Sequence, residues 1–449
     1  MAKLDHIPAN FEFPQLREIA DTEKLAQTLQ RHLGASFVSG EMCVASCAID
    51  QLSYTPKSGC WILLAADIHR RDRGEIGRQI FYGKLFRRSR RAQKAFERQQ
   101  SKIWTPPQFG PAVLHISEWA MMLWAYPNDP NLPGLAQMAD AEKILAQAQA
   151  APEKFGLRHS PVAITAEQTK YVPGQRCGYV YHFTLADGAT RAVYGKAYRN
   201  GEGEKAHALM KKIWQSEACQ RGRFVLPEAY GYDPNLQVLW QEAISGQPFA
   251  KIAESIPNLP EVAEEIGARL AAFHGVELPL PLEMTFEFQI KEVRRTMAAI
   301  ARTFSDHAAR SKLVGEKLLA AAEKFGPGPI TPVHASFKFS HIFAAKKGVT
   351  FIDFDGACLG DPGYDVGRFI AHLYKMKANW KIDPEVADQT MANFCAAYNR
   401  AAASPLPPER SNWFAASHLL ASQVYKSVKR MDASLIGKLL KIADHLVGA

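Results

Sequence analysis

Polar and apolar residues alternate in two separate stretches of the first 250 residues, a pattern typical of β-strands. Residues 61–68 read WILLAADI, and residues 179–185 read YVYHFTL. In each case a polar turn leads to a second strand-like stretch, and a Pro-bounded hairpin then carries a third one. The pattern predicts two β-rich modules that follow one another along the chain.

The two predicted modules match each other in register. Residues 54–60 and residues 171–177 each begin with tyrosine, have proline third and end with cysteine. The next strand of each module contains a Tyr-Gly-Lys sequence, which ends at Lys84 in the first module and at Lys196 in the second. So many matches in register predict that a β-rich module has been duplicated.

The remainder of the chain has the apolar periodicity of helices. Helices are predicted for residues 138–149, 261–274, 384–402 and 411–447. The prediction is therefore an α+β protein in three parts, a β-rich module with a linker helix at 1–150, a second β-rich module at 151–250 and a helical region at 251–449.

Composition and charge narrow the class of protein. The 449 residues contain 47% hydrophobic and 22% charged residues, a globular balance without an apolar run long enough to span a bilayer. The N-terminus lacks the pattern of a secretory leader. Seven scattered cysteines without a Cys-x-x-Cys pair predict neither disulfides nor a zinc site, and a reducing cytoplasm is the expected compartment.

Positive charge is concentrated in residues 70–98, where eleven Lys or Arg stand against three acids. Such a segment either attracts a polyanion or forms a solvated helix face. Nucleic-acid binding is the weakest interpretation, because the segment lacks interleaved aromatic residues and a recognisable binding module.

A run of chemically distinctive residues lies in the helical part. It comprises His334-Ala-Ser336, His341, an apolar strand ending in Asp353-Phe-Asp355, and Gly360-Asp-Pro followed by Asp365. This order resembles the H-G-D-x-x-x-x-N, I-D-[WF] and G-D-P-x-x-D motifs of aminoglycoside and choline phosphotransferases. The resemblance covers about residues 162–400. It implies a two-lobed protein-kinase-like fold, with a β-rich N-lobe and a helical C-lobe, that binds ATP and Mg²⁺.

The resemblance also implies roles for single residues. Lys196 matches the phosphate-binding lysine, with Glu204, or less well Glu202, as its helix carboxylate. Asp353 matches the metal-binding aspartate, and Lys338 matches a lysine that contacts the γ-phosphate. Further nucleotide contacts are implied for Arg176 and for the hinge residues Gln241, Glu242 and Ala243.

Two residues depart from the family pattern. Ser336 stands where the family has the aspartate that accepts the substrate proton, and a serine hydroxyl is not a base near neutral pH. His341 stands where the family has a metal-binding asparagine, although Mg²⁺ prefers oxygen ligands. Asp355 is an alternative ligand or base, and His341 is an alternative base.

Two functions follow from these residues. The first is an atypical phosphotransferase acting on a small hydroxylated acceptor. Residues 370–449 carry ten Lys or Arg against six acids, which favours a neutral or anionic acceptor over a polycationic aminoglycoside. The second is a pseudokinase with a regulatory or scaffolding role, whose extra module and basic segment contact a protein partner.

Overall fold

The computed structural model describes residue 7 and residues 11–57, 59–71, 74–325, 328–345 and 348–448. The N-terminal residues that bear on a leader sequence, and Arg73 of the basic segment, lie outside these ranges. The fold is a mixed α+β arrangement of β-rich sheets and a helical region, in agreement with the predicted class.

Three short helices precede the first five-stranded sheet. They are α1 (Leu16–Ile19), α2 (Thr22–His32) and α3 (Ala35–Val38). The strands are β1 (Met42–Thr55), β2 (Gly59–Arg70), β3 (Glu75–Leu85), β4 (Val113–Ile116) and β5 (Met121–Ala125). They lie in the order β1-β2-β3-β5-β4, and every pair of neighbours is antiparallel.

One helix interrupts the first sheet along the chain, and two more lie between the first sheet and the second. Helix α4 (Ser89–Gln100) separates β3 from β4, and the linker contains α5 (Leu135–Met138) and α6 (Ala141–Ala150). The helix predicted at 138–149 begins at Ala141 because the Asp140 side chain accepts a hydrogen bond from the Lys143 amide, which caps the helix.

The second five-stranded sheet repeats the strand order of the first. Its strands are β6 (Pro161–Val172), β7 (Arg176–Leu185), β8 (Thr190–Tyr198), β9 (Ala229–Asp233) and β10 (Val238–Glu242), in the order β6-β7-β8-β10-β9. Helices α7 (Glu202–Trp214) and α8 (Glu217–Gln220) lie between β8 and β9, where the first sheet has α4.

The last strand of each module, β5 or β10, pairs with its neighbour in a register that differs by one residue between the two modules. Trp124 pairs with Tyr82 in the first sheet, whereas Trp240 pairs with Gly195 in the second. Relative to the Tyr-Gly-Lys sequence of each module, the two tryptophans therefore occupy successive rather than equivalent positions and point to opposite faces of their sheets.

The helical region follows the second sheet. Its helices are α9 (Phe249–Ile252), α10 (Leu259–His274), α11 (Phe286–Thr303), α12 (Ala308–Ala322), α13 (Gly363–Ala378), α14 (Pro384–Ala401), α15 (Pro408–His418), a π-helical turn (Leu419–Val424), α16 (Tyr425–Arg430) and α17 (Ile436–Gly448). The helix predicted at 411–447 is divided because Met431 adopts a left-handed conformation with φ 55°, which ends α16.

Two small sheets lie within the helical region. The strands are β11 (Gly246–Pro248), β12 (Leu282–Met284), β13 (Thr331–Val333), β14 (Ile342–Ala345), β15 (Gly348–Phe351) and β16 (Cys358–Gly360). They form the sheets β11-β14-β15 and β12-β16-β13. The loops that follow β13 and β15 carry the distinctive residues of the sequence.

The hydrophobic core joins regions that are distant in sequence. One continuous core connects Ile62 of the first sheet and Leu239 of the second with Phe273 of the helical region. A second core lies on the other face of the second sheet, where Ile144 and Phe155 of the linker pack with Trp240. The linker therefore packs against the second sheet.

Candidate active site

Lys196 is the centre of the site. It lies on β8, paired with Gly178 of β7 and Leu239 of β10, and only 7% of its surface is exposed. Its Nζ is 2.6 Å from Asp353 Oδ1 and 2.5 Å from Asp355 Oδ2. A buried ammonium group needs such partners, because an uncompensated charge inside a protein is costly.

The loop after β15 brings both carboxylates to Lys196. Asp353 adopts a left-handed conformation, with φ 67° and ψ 50°, which aspartate tolerates better than most residues. A single 3₁₀ turn, Phe354–Gly356, follows and is anchored by the fully buried Phe354 ring. The Phe354 ring lies 5.1 Å from that of Phe273 on α10. This anchor fixes the loop that carries the carboxylates.

The charges at Lys196 stabilise one another. Burial alone would raise the pKa of Asp353, but Lys196, His341 and Arg176 outweigh it and hold the pKa of that carboxyl well below its usual range. Burial alone would lower the pKa of Lys196, but Tyr198, Asp355 and Asp353 raise it well above the usual value. The lysine is therefore charged and the Asp353 carboxyl is ionised at neutral pH.

The loop after β13 places Ser336 beside His341. The His334 amide donates to Asp365 Oδ2 at 2.5 Å, which fixes the start of this loop to α13. Ala335 then has a φ of 58°, an uncommon conformation for a residue other than glycine that requires support from its surroundings. Ser336 Oγ lies 3.3 Å from His341 Nδ1.

A chain of polar contacts runs from Ser336 to the carboxylate of Asp353. His341 Nε2 lies 3.0 Å from Asp353 Oδ2, while the other ring nitrogen faces Ser336. Burial lowers the pKa of His341 to about 3, although Asp353 acts in the opposite direction. The imidazole is therefore neutral at physiological pH and bridges a hydroxyl and a carboxylate.

Two further cations predicted for the site lie near Asp353. Arg176 Nη1 is 3.4 Å from Asp353 Oδ2, so this arginine approaches from the second sheet. Lys338 is half-buried on the Ser336 loop. Burial, followed by the charge of Arg368, lowers the pKa of Lys338 to about 7. The site is consequently rich in positive charge.

The ion pairs of Lys196 are with Asp353 and Asp355 and not with Glu204, the helix carboxylate implied by the family resemblance. Glu204 is exposed in the first turn of α7, and Glu202 pairs with Arg199 at 3.2 Å. The carboxylates on Lys196 come instead from Asp353 and Asp355, whose loop reaches the lysine from the helical region.

The predicted hinge lies at the end of β10. Gln241 is buried and pairs with Tyr194 of β8. The Glu242 amide donates to the Glu228 carbonyl at 2.8 Å. Ala243 is the first residue beyond the strand and leads toward the helical region.

Several residues that complete the site carried no chemical motif in the sequence. The Tyr198 hydroxyl donates to Asp355 Oδ1 at 2.8 Å, and Arg368 Nη1 donates to the Ala335 carbonyl at 2.8 Å. Asp129, from the linker, accepts from the Gly174 amide at 2.7 Å and so holds the β6–β7 turn. The spacing of Tyr198 from Lys196 on one strand could have suggested that both face the same side.

The two aspartates of the Gly-Asp-Pro motif hold the helical region together. Asp361 accepts from Arg410 Nε at 3.0 Å, and Asp365 lies 3.2 Å from His274 Nε2. Both aspartates are buried, and neither contacts the Lys196 centre. They support the loops rather than the chemistry.

The basic segment 70–98 lies apart from the Lys196 centre. Most of its cations on α4 are exposed, while Arg87 pairs with Glu12 at 2.5 Å and Arg78 pairs with Asp50 at 3.5 Å. Among the described residues, no group of three or more His, Cys, Asp or Glu is arranged to hold a metal ion. No helix in the described ranges is long and apolar enough to cross a membrane.

A five-stranded sheet with a buried lysine, whose carboxylate partners come from a helical region, defines a protein of the kinase-like phosphotransferase class. The model of the phosphotransferase enzyme family matches residues 180–406, about half of the chain. The chain belongs to this family, which confirms the resemblance inferred from the motifs.

Solved structures are similar over much of the chain, at low sequence identity. The aminoglycoside phosphotransferase APH(4)-Ia is 14% identical, with a TM-score of 0.48 over 70% of this chain and 98% of that one. A thermostable mutant of that enzyme, in ternary complex with AMP-PNP and hygromycin B, is 15% identical, with a TM-score of 0.46 over 66% and 98%. Choline kinase from Cryptosporidium parvum Iowa II is 9% identical, with a TM-score of 0.44 over 69% and 95%. A search of curated proteins found no match.

Proposed function

We propose that the protein binds a nucleoside triphosphate at the Lys196 centre and transfers a phosphoryl group to a small hydroxylated acceptor. The observation that carries this proposal is the buried lysine held between Asp353 and Asp355. Phosphoryl transfer depends mainly on positioning and charge neutralisation, which a lysine and neighbouring carboxylates can supply. Family membership supports the same reaction class.

The donor chemistry of the loop fits Mg²⁺. Asp353 and Asp355 offer carboxylate oxygens, the ligands that Mg²⁺ prefers, and the ammonium group of Lys196 already stands between them as a cation. Asp353 and Asp355 would hold the metal, with His341 as the adjacent side chain, and Lys196, Lys338 and Arg176 would contact phosphates. When bound, Mg²⁺ neutralises charge on the phosphates. Backbone groups of Gln241, Glu242 and Ala243 would bind the base.

Catalysis without an aspartate at Ser336 would rely on electrostatic stabilisation. That contribution is usually the largest single one in an active site, whereas a general base contributes about 10²–10⁴-fold. The neutral imidazole of His341 lies between Ser336 and Asp353, but a pKa of about 3 makes it too weak a base to hold the acceptor proton at neutral pH. The turnover expected is therefore slow but measurable.

The second candidate function is that of a pseudokinase, and one observation favours it. All four carboxylate oxygens of Asp353 and Asp355 have protein partners, which are Lys196, Arg176, His341 and Tyr198. The arrangement thus satisfies its own charges without a nucleotide. In this case the first β-rich module would serve contacts with a protein partner.

The first 150 residues are proposed to be a duplicated N-lobe-like module, placed before a kinase-like N-lobe at 151–250 and a helical C-lobe at 251–449. The shared strand order of the two sheets supports the duplication. A cytoplasmic location is also proposed, because the seven cysteines are unpaired.

Thermal denaturation with ATP and MgCl₂, together with a phosphate-release assay, tests the proposed function. We expect ATP and MgCl₂ to raise the melting temperature of the wild type by linkage, and Asp353→Ala to abolish both the shift and phosphate release. Asp361→Asn is the control, because it changes a buried carboxylate outside the site. ATP and MgCl₂ should still raise the melting temperature of this variant. A wild type that binds ATP without any release of phosphate would favour the pseudokinase. A wild type that does not bind ATP would overturn the proposed function.

A further inference from the structure

Positive side chains converge on the side of the site that faces the helical region. Arg368 and Lys375 lie on α13, Lys426 and Arg430 lie on α16, and Lys338 lies on the Ser336 loop. Helical spacing places residues 368, 372 and 375 on one face of α13, and residues 426 and 430 on one face of α16. The five cations therefore come from three separate segments.

Two contacts attach this face of α13 to the Ser336 loop. Arg368 Nη1 donates to the Ala335 carbonyl at 2.8 Å, directly before Ser336. The His372 ring stacks on Phe339, directly after Lys338, with ring centroids 5.8 Å apart and planes 14° apart. The cations of α13 are consequently held alongside the loop that carries Ser336 and Lys338.

Helix α16 is attached to the same region through the segment before it. His418 Nε2 lies 2.8 Å from the Tyr364 carbonyl, which joins the end of α15 to the start of α13. The π-helical turn then packs against α13 and leads into α16. Lys426 is close enough to Arg368, Lys375 and Lys338 for their charges to act on its ammonium group.

Lys196 is ion-paired with carboxylates, and most of these cations differ from it in this respect. Within the described part of the chain, no carboxylate forms an ion pair with Lys338, Arg368, Lys426 or Arg430. The buried Nε of Arg368 has no hydrogen-bond partner among the described residues. Asp432 raises the pKa of Lys375 and Asp353 raises that of Lys338, but burial and a neighbouring arginine act more strongly in the opposite direction on each lysine.

Arg430 is exposed, but the other cations are partly buried. Clustered, partly buried positive charges without counter-charges are unfavourable in the absence of an anion. Burial, with the surrounding positive charges, lowers the pKa of Lys426 to about 6 and that of Lys338 to about 7. A bound anion would reverse both effects by supplying the missing negative charge. The same field would repel a polycationic acceptor.

We propose that Arg368, Lys426 and Arg430 form an anion-binding site beside Ser336 and Lys338, and that the phosphoryl acceptor is a hydroxylated compound carrying a phosphate or carboxylate group. The identity of the ligand as an acceptor rests on the proposed function, whereas the anion site stands on the cations alone. Arginine and lysine are the side chains that proteins use for phosphate and carboxylate groups.

Isothermal titration with inorganic pyrophosphate, without nucleotide, tests the anion site in the full chain. We expect wild type to bind, and Lys426→Met to raise the dissociation constant about tenfold or more, the effect of losing one hydrogen bond to a charged group. Lys441→Met, an exposed lysine on α17, is the matched control and should bind as the wild type does. Circular dichroism checks that each variant is folded.

A Lys196→Ala variant, titrated in the same way, separates the two sites. Weakened binding in Lys196→Ala with unchanged binding in Lys426→Met would place pyrophosphate at the nucleotide position and overturn the anion site. Absence of pyrophosphate binding in the wild type would overturn it as well. Failure of ATP binding, with pyrophosphate binding that depends on Lys426, would reject the proposed function and leave the anion site intact.

A competition experiment with hydroxylated compounds tests the acceptor chemistry. Glucose 6-phosphate and gluconate represent the phosphate and carboxylate classes, and glucose is the uncharged control. We expect at least one anionic compound to displace pyrophosphate and glucose to have no effect. Displacement by kanamycin, a polycation, or by glucose as well as the anions, would contradict the proposed acceptor class.

Discussion

The two five-stranded sheets share a strand order and a Tyr-Gly-Lys sequence, yet within the described ranges only the lysine of the second sheet is paired with carboxylates. Lys196 of the second sheet is buried between Asp353 and Asp355. Lys84 of the first sheet is exposed, and its Nζ lies 5.5 Å from the centre of the Phe86 ring. A strand can therefore position a lysine, but carboxylates from another region decide whether it becomes a site.

The linker that follows the first sheet nevertheless stabilises a turn of the second sheet. Linker residue Asp129 is buried and accepts hydrogen bonds from the Gly174 amide at 2.7 Å and from the Tyr171 hydroxyl at 2.8 Å. The turn at Gly174 immediately precedes Arg176, which contacts Asp353. The first part of the chain thus stabilises a turn at the edge of the candidate site.

The largest expected difference between the two sheets concerns stability. Lys196→Ala should lower the free energy of unfolding by about 3 kcal/mol, because it leaves two partly buried carboxylates without their main cation. Lys84→Ala should change it by less than about 0.5 kcal/mol, as for other surface substitutions. Urea denaturation of the two variants measures both values, and equal losses would contradict the comparison.

The support given by the linker should have a smaller effect. Asp129→Asn keeps the shape of the side chain but places an amide donor where two hydrogen bonds are accepted, which should cost about 2 kcal/mol. The measurement is the midpoint of urea denaturation, with Asp140→Asn on an exposed helix cap as the control. A cost no larger than that of the control would show that the two modules are not coupled at this turn.

Proton uptake should distinguish the anion site from the Lys196 centre. The pKa of Lys426 is about 6 in the free protein, and a bound anion favours its charged form, so binding takes up a proton. Affinity for sulfate, an anion whose charge does not change over this range, should therefore rise about tenfold as the pH falls from 8 to 6.

The charges that act on Lys426 are those of Arg368, Lys375, Lys338 and Arg430, and its own charge acts on His372 and His418. Burial holds the pKa of both histidines below the usual value, so neither takes up a proton over this range. Lys338, with a pKa of about 7, also takes up a proton, and Lys426→Met measures its share. Titration in two buffers of different ionisation enthalpy measures the proton uptake. Affinity that does not depend on pH in the wild type would contradict the involvement of Lys426.

The smallest expected effect is a gain in stability. Lys426→Met removes an amine whose charged form is disfavoured by burial and by its neighbours in the folded protein, and it should raise the free energy of unfolding by about 1 kcal/mol without anion. Lys441→Met provides the baseline for an exposed lysine. Destabilisation by Lys426→Met would indicate a structural role for this lysine.

Much of the architecture follows from the sequence. Alternation predicted the strands around Lys84 and Lys196, apolar periodicity predicted α10, and the motif order indicated the family. The sequence did not place Asp355 on Lys196, because that contact joins residues 159 positions apart. The family resemblance suggested Glu204 as the partner of Lys196. The folded loop after β15 shows that Asp353 and Asp355 reach the lysine.

The anion site could not be identified from composition alone. An excess of Lys and Arg in residues 370–449 was visible, but surface lysines produce the same count. What distinguishes Arg368 and Lys426 is that they lie beside the Ser336 loop without carboxylates, and this depends on the packing of α13 and α16. Long-range packing of this kind has no local sequence signal.

The most direct test of the central claim compares the nucleotide affinity of Lys196→Ala with that of Lys84→Ala. Isothermal titration with AMP-PNP and MgCl₂ should show binding to the wild type and to Lys84→Ala with equal affinity. Lys196→Ala should bind at least tenfold more weakly, because a charged contact to phosphate is lost. Equal affinity of all three proteins, or loss of binding in Lys84→Ala, would contradict the assignment of the site to the second sheet.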